Sequence, residues 1–127
     1  MASAKEWIRV RRDLRLGQRL SGTVTAVPAP GATGLFVDVG PPVGGFVDVL
    51  LLPADAHQWP QVGIIAEFEV WWADQRPQVR LKPVDRHFLR EDFDQWQARW
   101  RPGRPENVPV DQAWVQAEAA PLREAGA

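Results

Sequence analysis

The chain has no cysteine and no tyrosine among its 127 residues, and its only histidines are His57 and His87. Without cysteine it can form no disulfide and offers no thiolate as a nucleophile or zinc ligand. Each histidine stands two positions after an aspartate, in a segment that reads as a loop or the start of a helix. We interpret both as surface residues and therefore expect no metal, no cofactor and no enzymatic activity.

Long hydrophobic runs are also missing. No stretch approaches the roughly 20 apolar residues that span a bilayer. Residues 1–10 carry charge and lack the continuous apolar run of a secretory signal. The sequence therefore predicts no membrane partner and a cytoplasmic location.

Net positive charge is found only in the first segment. Residues 1–20 contain six basic and two acidic side chains, a net charge of +4, whereas residues 21–84 carry −3 and residues 85–127 carry −2. Affinity for nucleic acid depends on phosphates neutralised by lysine and arginine. A basic arm beside an acidic body gives modest support to nucleic-acid binding.

Tryptophan is abundant, with seven residues in a short chain. Tryptophan is large and often only partly buried, and it is enriched in interfaces. We expect most of the seven to lie in the core and some to line a groove or interface.

Alternation of apolar and polar residues predicts five β-strands, at residues 18–27, 35–39, 46–50, 66–73 and 78–82. The second and third strands form a hairpin around a glycine-proline loop at residues 40–45, and the rest of the chain is organised around it. Asp38 and Asp48 lie on these paired strands and can face each other. We interpret them as an acidic surface rather than an acid–base pair.

Outside the strands the pattern changes. Residues 1–13 fit neither a helical nor a strand period, and we interpret them as a basic lead-in. After residue 84, four apolar residues fall at i, i + 4, i + 7 and i + 11, which is one face of an α-helix: Leu89, Phe93, Trp96 and Trp100. Asp85 is a possible cap of this helix. A proline-rich linker at residues 101–110 and a short helix at 111–119, burying Val110 and Trp114, complete the prediction.

The predicted fold is mainly β: a five-stranded antiparallel barrel of the OB kind, followed by a C-terminal α-helical extension. The barrel occupies residues 14–84, the lead-in residues 1–13, and the helix, linker and tail residues 85–127.

Ordered motifs carry a family resemblance. The sequence reads LRLGQRLSGTV at residues 14–24, GLFVDVG at 34–40 and GFVDV at 45–49, with further matches at 62–63, 73–74 and 79–81. Over residues 14–82 this order resembles the S-one RNA-binding domain, a family named for the repeated domain of a bacterial ribosomal protein. The resemblance rests on ordered glycines and alternation, without a single signature motif.

The resemblance implies that RNA lies across the outer faces of the second, third and fifth strands. Of five positions that the family uses there, Phe36 keeps an aromatic residue and Asp74 keeps an aspartate. Thr33 replaces an aromatic residue, Asp48 a histidine and Gln78 an arginine. These departures remove a stacking platform and a cation from the face.

The leading hypothesis is non-catalytic binding of single-stranded RNA. The residues that we expect to contact RNA are Phe36, Asp74, Arg80 and Lys82, with Arg9, Arg11 and Arg12 of the basic lead-in.

The alternative is a protein-interaction or regulatory module on an OB scaffold that has lost much of its RNA-binding face. Its candidate residues are Trp71, Trp72, Trp96 and Trp100. Strict alternation would bury Trp72, whereas the family pattern places an apolar residue at Trp71, so which of the two is exposed stays open. The C-terminal helix is expected to cover it.

Overall fold

The computed structural model describes residues 3–28, 33–40, 43–73, 76–100 and 108–110, apart from the side chain of Trp100. Five strands form a closed barrel: β1 (Arg19–Ala26), β2 (Gly34–Asp38), β3 (Gly44–Asp48), β4 (Ile65–Ala73) and β5 (Gln78–Pro83). Around the barrel the strands follow the order β1-β2-β3-β5-β4, and β4 returns to β1. The predicted mainly β, OB-like barrel is confirmed.

The barrel is mixed rather than purely antiparallel, which corrects one part of the prediction. Strands β3 and β5 run parallel, with Phe46 opposite Arg80, while the other four pairs are antiparallel. A closed ring with an odd number of strands cannot alternate in direction all the way round, so one pair has to be parallel. The segment between β3 and β4 crosses one end of the barrel to allow this. In that segment the Trp59 indole N–H donates to the carbonyl of Pro53 at 2.7 Å.

Alternation places one side of each strand in the core. In β1, Gly22 and Val24 are buried, whereas Arg19, Ser21 and Thr25 are exposed. The interior is filled by branched and aromatic side chains: Val24, Leu35, Val37, Val47, Phe68, Val70, Val79 and Leu81. Gly22 also faces this interior, where a Cβ would lie only 2.4 Å from Val37 Cγ1.

The lead-in is a helix, which the sequence interpretation missed. Helix α1 (Ala4–Asp13) begins with a capping box in which the Ser3 hydroxyl accepts from the backbone of Glu6, and the Glu6 carboxylate accepts from the backbone of Ser3. Trp7 on this helix is buried in the hydrophobic core. The capping box is visible in the sequence as Ser-x-x-Glu, so this pattern could have predicted the start of the helix.

The second helix is shorter than predicted. Asp85 caps a single 3-10 turn, Arg86–Phe88, by accepting from the backbone of His87 at 2.9 Å. Helix α2 (Phe93–Trp100) begins only afterwards. Leu89 is nevertheless buried together with Phe93, as the predicted stripe required.

Part of the predicted linker returns to the barrel. The backbone of Leu16 donates to Val108 at 3.0 Å, and that of Val110 donates to Leu14 at 2.9 Å. Val110 is fully buried, as expected. Residues 101–107, and residues 111–127 with the predicted last helix and Trp114, lie outside the described residues.

Candidate nucleic-acid interface

Three side chains form a row across the outer face of β2, β3 and β5. The strand register places Phe36 opposite Phe46, and Phe46 opposite Arg80. The two phenyl rings have centroids 5.3 Å apart and are tilted by 51°. The guanidinium carbon of Arg80 lies 6.0 Å from the centroid of Phe46. We call Phe36, Phe46 and Arg80 the aromatic row.

The aromatic row combines an exposed ring with a covered one. Phe36 is 37% exposed, whereas Phe46 is 9% exposed. Phe46 was not among the predicted site residues. Alternation could have identified it, because Phe46 and Asp48 are two positions apart and share the outer face of β3.

A carboxylate lies beside the cation of the row. Asp48 Oδ2 is 3.6 Å from Arg80 Nη1, and the two side chains are 36% and 28% exposed. Asp48 Oδ1 accepts from the backbone N–H of Leu50 at 2.9 Å. The position where the resembling family carries a histidine therefore holds a half-buried carboxylate, which reduces the attraction of this part of the face for phosphate.

Lys82 is engaged elsewhere. Its Nζ lies 3.1 Å from Glu69 Oε2 and 5.3 Å from the ring centroid of Phe93, and its side chain is 18% exposed. Lys82 shares the outer side of β5 with Arg80 but links the barrel to α2. The structure therefore does not bring it into the aromatic row.

The predicted arginines of the N-terminal segment lie on α1. Arg9 and Arg12 are exposed and Arg11 is half-buried. With Lys5, which is also exposed, Arg9 and Arg12 fall at i, i + 4 and i + 7 and form one basic stripe of the helix. Asp74, the remaining predicted contact, lies outside the described residues.

Trp71 and Trp72 differ in burial because β4 contains a β-bulge. The pairing of β4 with β5 shifts register between Val70 and Trp72. Two successive residues, Val70 and Trp71, are therefore buried, and Trp72 is half-buried. This agrees with the family pattern and not with strict alternation, since a bulge inserts an extra residue and reverses the phase.

Helix α2 covers Trp71. The Trp71 and Trp96 rings are stacked, with centroids 6.4 Å apart and planes at 24°, and Phe93 lies 5.9 Å from Trp71. Trp96 itself is half-buried. Trp100 ends α2, and its side chain lies outside the described residues.

Two surface hollows adjoin the aromatic row. An open one of about 520 Å³ lies beside Phe36 and is shared with Thr25, Asp38 and Gln78. A smaller cleft of about 130 Å³ lies beyond Arg80, between Trp72 and Trp96. Phe36 lines the first hollow and Arg80 the second, so the aromatic row lies between them.

The titratable groups are dispersed. Asp48 lies opposite Gly34 at the start of β2, whereas Asp38 ends β2, so the expectation that they face each other is wrong. The backbone and ring N–H groups of His57 hold the pKa of Asp55 below its ordinary value, and both side chains are exposed. Within the described ranges, no three histidine, aspartate or glutamate side chains are grouped as metal ligands would be.

A search of the described helices for a membrane span finds none that is both long and apolar enough.

Solved structures similar to this chain match it over part of its length. GSP13 from Bacillus subtilis has 22% sequence identity and a TM-score of 0.46, and the match covers 54% of each chain. An uncharacterised protein, MJ1198, from Methanocaldococcus jannaschii has 20% identity and a TM-score of 0.42, over 57% of this chain and 95% of that one. A multidomain protein with nucleic acid binding domains from Streptococcus pneumoniae has 18% identity and a TM-score of 0.42, over 68% of this chain and 30% of that one.

This chain thus spans about half of the length of GSP13. No protein-family model matches it, and no curated protein does either.

Proposed function

We propose that the chain binds single-stranded nucleic acid, with RNA as the preferred form, on the outer face of β2, β3 and β5. The observation that carries this proposal is the aromatic row, in which an exposed phenyl ring, a second ring and a guanidinium group follow one another across three neighbouring strands. Exposed rings accept stacked bases of any sequence, and a guanidinium group can stack or contact phosphate.

The geometry favours single strands over duplexes. Phe36 is flanked by the open hollow on one side and by Phe46 on the other, so an unstacked base can lie on the exposed part of its ring. The bases of a duplex are stacked on each other and do not present a free face. A hollow lies at each end of the aromatic row, one lined by Phe36 and one by Arg80, and a strand of several nucleotides that follows the row would reach both.

We propose a binding role without catalysis. Asp38 and Asp48 each accept a hydrogen bond from a nearby backbone N–H, Asp38 from Gly40 at 2.8 Å and Asp48 from Leu50 at 2.9 Å. These carboxylates stabilise turns at different ends of the hairpin. That arrangement supports a structural use of both groups.

Among the described residues, Trp71 does not support the alternative, a protein-interaction module built on exposed tryptophans. Trp71 is 6% exposed and packs on Phe93 and Trp96. These rings attach α2 to the barrel and leave little of Trp71 for a partner.

The proposal is tested by fluorescence anisotropy with a labelled single-stranded RNA of mixed sequence and the same RNA as a duplex. We expect the single strand to bind more tightly. Phe36→Ala should weaken its binding by about 1–3 kcal/mol, roughly 5- to 150-fold, because one stacking platform is lost.

Ile65→Ala is the matched control. Ile65 begins β4, is 71% exposed and pairs with Thr23 of β1, outside the aromatic row. It should bind RNA as the unaltered chain does. If the unaltered chain binds no single strand at low salt, or if both variants bind equally well, the proposal is wrong.

A further inference from the structure

The cleft beyond Arg80 has aromatic walls and a charged edge. Trp71, Trp72 and Trp96 line it, together with Leu51 of the 3-10 turn that follows β3. Its charged groups are those of Asp48 and Arg80. The cleft is built partly from α2, outside the barrel to which the family resemblance applies, so that resemblance does not assign it.

The walls of the cleft are held in place by direct contacts. Trp96 stacks on Trp71, and the guanidinium group of Arg90 lies 5.2 Å from the Trp96 ring centroid on α2. Arg90 also donates from its backbone to the carbonyl of Leu51 at 3.0 Å and from Nη1 to that of Leu50 at 3.1 Å. Arg90 thus joins the α2 side of the cleft to the 3-10 turn that follows β3.

The size of the cleft suits one six-membered ring. Its volume is about 130 Å³. An apolar cavity of about 150 Å³ accepts benzene. The cleft is slightly smaller than that but open to solvent, so the ring of a pyrimidine can enter it with its substituents at the open edge, whereas the fused double ring of a purine is too large to enter fully.

The charged edge distinguishes between the two pyrimidines of RNA. Asp48 Oδ2 offers an acceptor 3.6 Å from Arg80 Nη1, which offers a donor, and both side chains are partly exposed. Cytosine presents the complementary pair, an N4 amino donor that carboxylates recognise and, beside it, ring acceptors for a guanidinium group. Uracil places a carbonyl oxygen at the same position, and that oxygen would face the Asp48 carboxylate.

We propose that this cleft is a cytosine-selective pocket, at the end of the aromatic row, which takes one base of the bound strand. The inference rests on the proposed function. The strand stacks on the row, and one pyrimidine enters between Trp72 and Trp96 with its amino group on Asp48. The same carboxylate that weakens the attraction for phosphate thereby provides base selectivity.

The test compares the binding of oligocytidylate and oligouridylate of equal length by the unaltered chain and by two variants. Asp48→Asn replaces the carboxylate by an amide; while its oxygen still accepts from Leu50, its NH2 group takes the place of Oδ2 and can donate to the uracil carbonyl but cannot accept from the cytosine amino group. Asp85→Asn is the matched control, because Asp85, like Asp48, accepts from a backbone N–H at the start of a 3-10 turn but lies outside the cleft and the aromatic row. Thermal unfolding checks that both variants fold.

We expect the unaltered chain and Asp85→Asn to prefer oligocytidylate by at least about fivefold, the equivalent of one net hydrogen bond. In Asp48→Asn this preference should fall by at least half. Equal affinity of the unaltered chain for the two oligonucleotides overturns the inference but leaves the proposed function in place. An undiminished preference in Asp48→Asn also overturns the inference, and failure to bind either oligonucleotide overturns both proposals.

Discussion

Gly34 is the first residue of β2. Its backbone conformation and the lack of space around it both exclude a side chain. Its φ is +136°, and a Cβ at this position would lie 2.1 Å from the carbonyl oxygen of Val47. Both features come from the close pairing of β2 with β3. Gly34 therefore fixes the approach of the two strands that carry Phe36 and Phe46.

Gly34→Ala should lower the free energy of unfolding by about 2–3 kcal/mol, because the variant combines backbone strain with a steric clash. Gly40 has a positive φ of 93°, but a Cβ there would have nothing within 4 Å. Gly40→Ala should therefore lower the free energy of unfolding by about 1 kcal/mol. Gly44→Ala has neither feature and should change stability by less than about 0.5 kcal/mol. Urea unfolding measures all three. Equal losses in the three variants would contradict this account.

For single residues, the sequence predicts the face of the strand on which a side chain lies better than it predicts the contacts of that side chain. Phe36 and Arg80 lie on the outer face as expected, because alternation is a property of each strand alone. The error at Asp38 and Asp48 arose from register, which depends on how the hairpin loop closes. Likewise, nothing local to Lys82 shows that Glu69 and Phe93 are its neighbours.

Among the elements, β4 contains a β-bulge that determines the burial of its two tryptophans. The register shifts between Val70 and Trp72, and Trp71, the residue between them, is buried against Phe93 of α2. The bulge results from pairing with β5, so alternation within β4 could not reveal it.

Trp71→Ala should therefore cost about 3–5 kcal/mol of unfolding free energy, the range for a large buried aromatic residue. Trp72→Ala should cost about 1–2 kcal/mol, since this side chain is half-buried. Urea denaturation measures the difference. If Trp71→Ala does not fold, the milder pair Trp71→Phe and Trp72→Phe should show the same order. The reverse order in either pair would contradict the placement of the bulge.

The capping box of α1 predicts a pH dependence. The N–H and hydroxyl of Ser3 hydrogen-bond to Glu6 and hold the pKa of its carboxyl below the ordinary value. A carboxyl whose pKa is lower in the folded state stabilises the fold above its unfolded pKa. This stabilisation is lost as the pH falls through the folded pKa. Glu6→Gln keeps a hydrogen-bond acceptor but cannot titrate.

We therefore expect the unaltered chain to have a higher melting temperature than Glu6→Gln at neutral pH. The difference should disappear as the pH falls below the ordinary range of a glutamate carboxyl. Circular dichroism followed during heating at several pH values measures it. A difference that stays constant with pH would contradict the role of the Glu6 carboxylate.

For the whole molecule, a closed mainly β barrel could be predicted from the sequence, because the alternating runs and glycine turns recur at regular spacing. Its parallel pair follows from closing five strands and needs no further sequence signal. The placement of α1 and the return of Val108 and Val110 to the barrel depend on contacts between distant segments. No local pattern in residues 108–110 shows that their backbone bonds to Leu14 and Leu16.

The basic stripe of α1 and the stacking ring of Phe36 belong to different elements. This predicts two independent components of RNA binding, phosphate contacts and base stacking. Arg9 and Arg12 lie on the basic stripe of α1, whereas Phe36 lies on β2. For single strands each phosphate contact contributes about 0.7 to the slope of log affinity against log salt. Replacing both arginines by glutamine should thus reduce the slope by up to about 1.4, and Phe36→Ala should lower affinity at every salt concentration without changing the slope.

Anisotropy titrations at several salt concentrations measure both components. Arg86→Gln is the matched control for loss of an exposed arginine, because Arg86 is paired with Asp94 at 3.0 Å and lies on neither surface. It should leave slope and affinity unchanged. If the Arg9 and Arg12 double variant keeps the full slope, α1 does not contact phosphate. The cations that bind the strand then lie on the barrel, where Arg80 is the first to test.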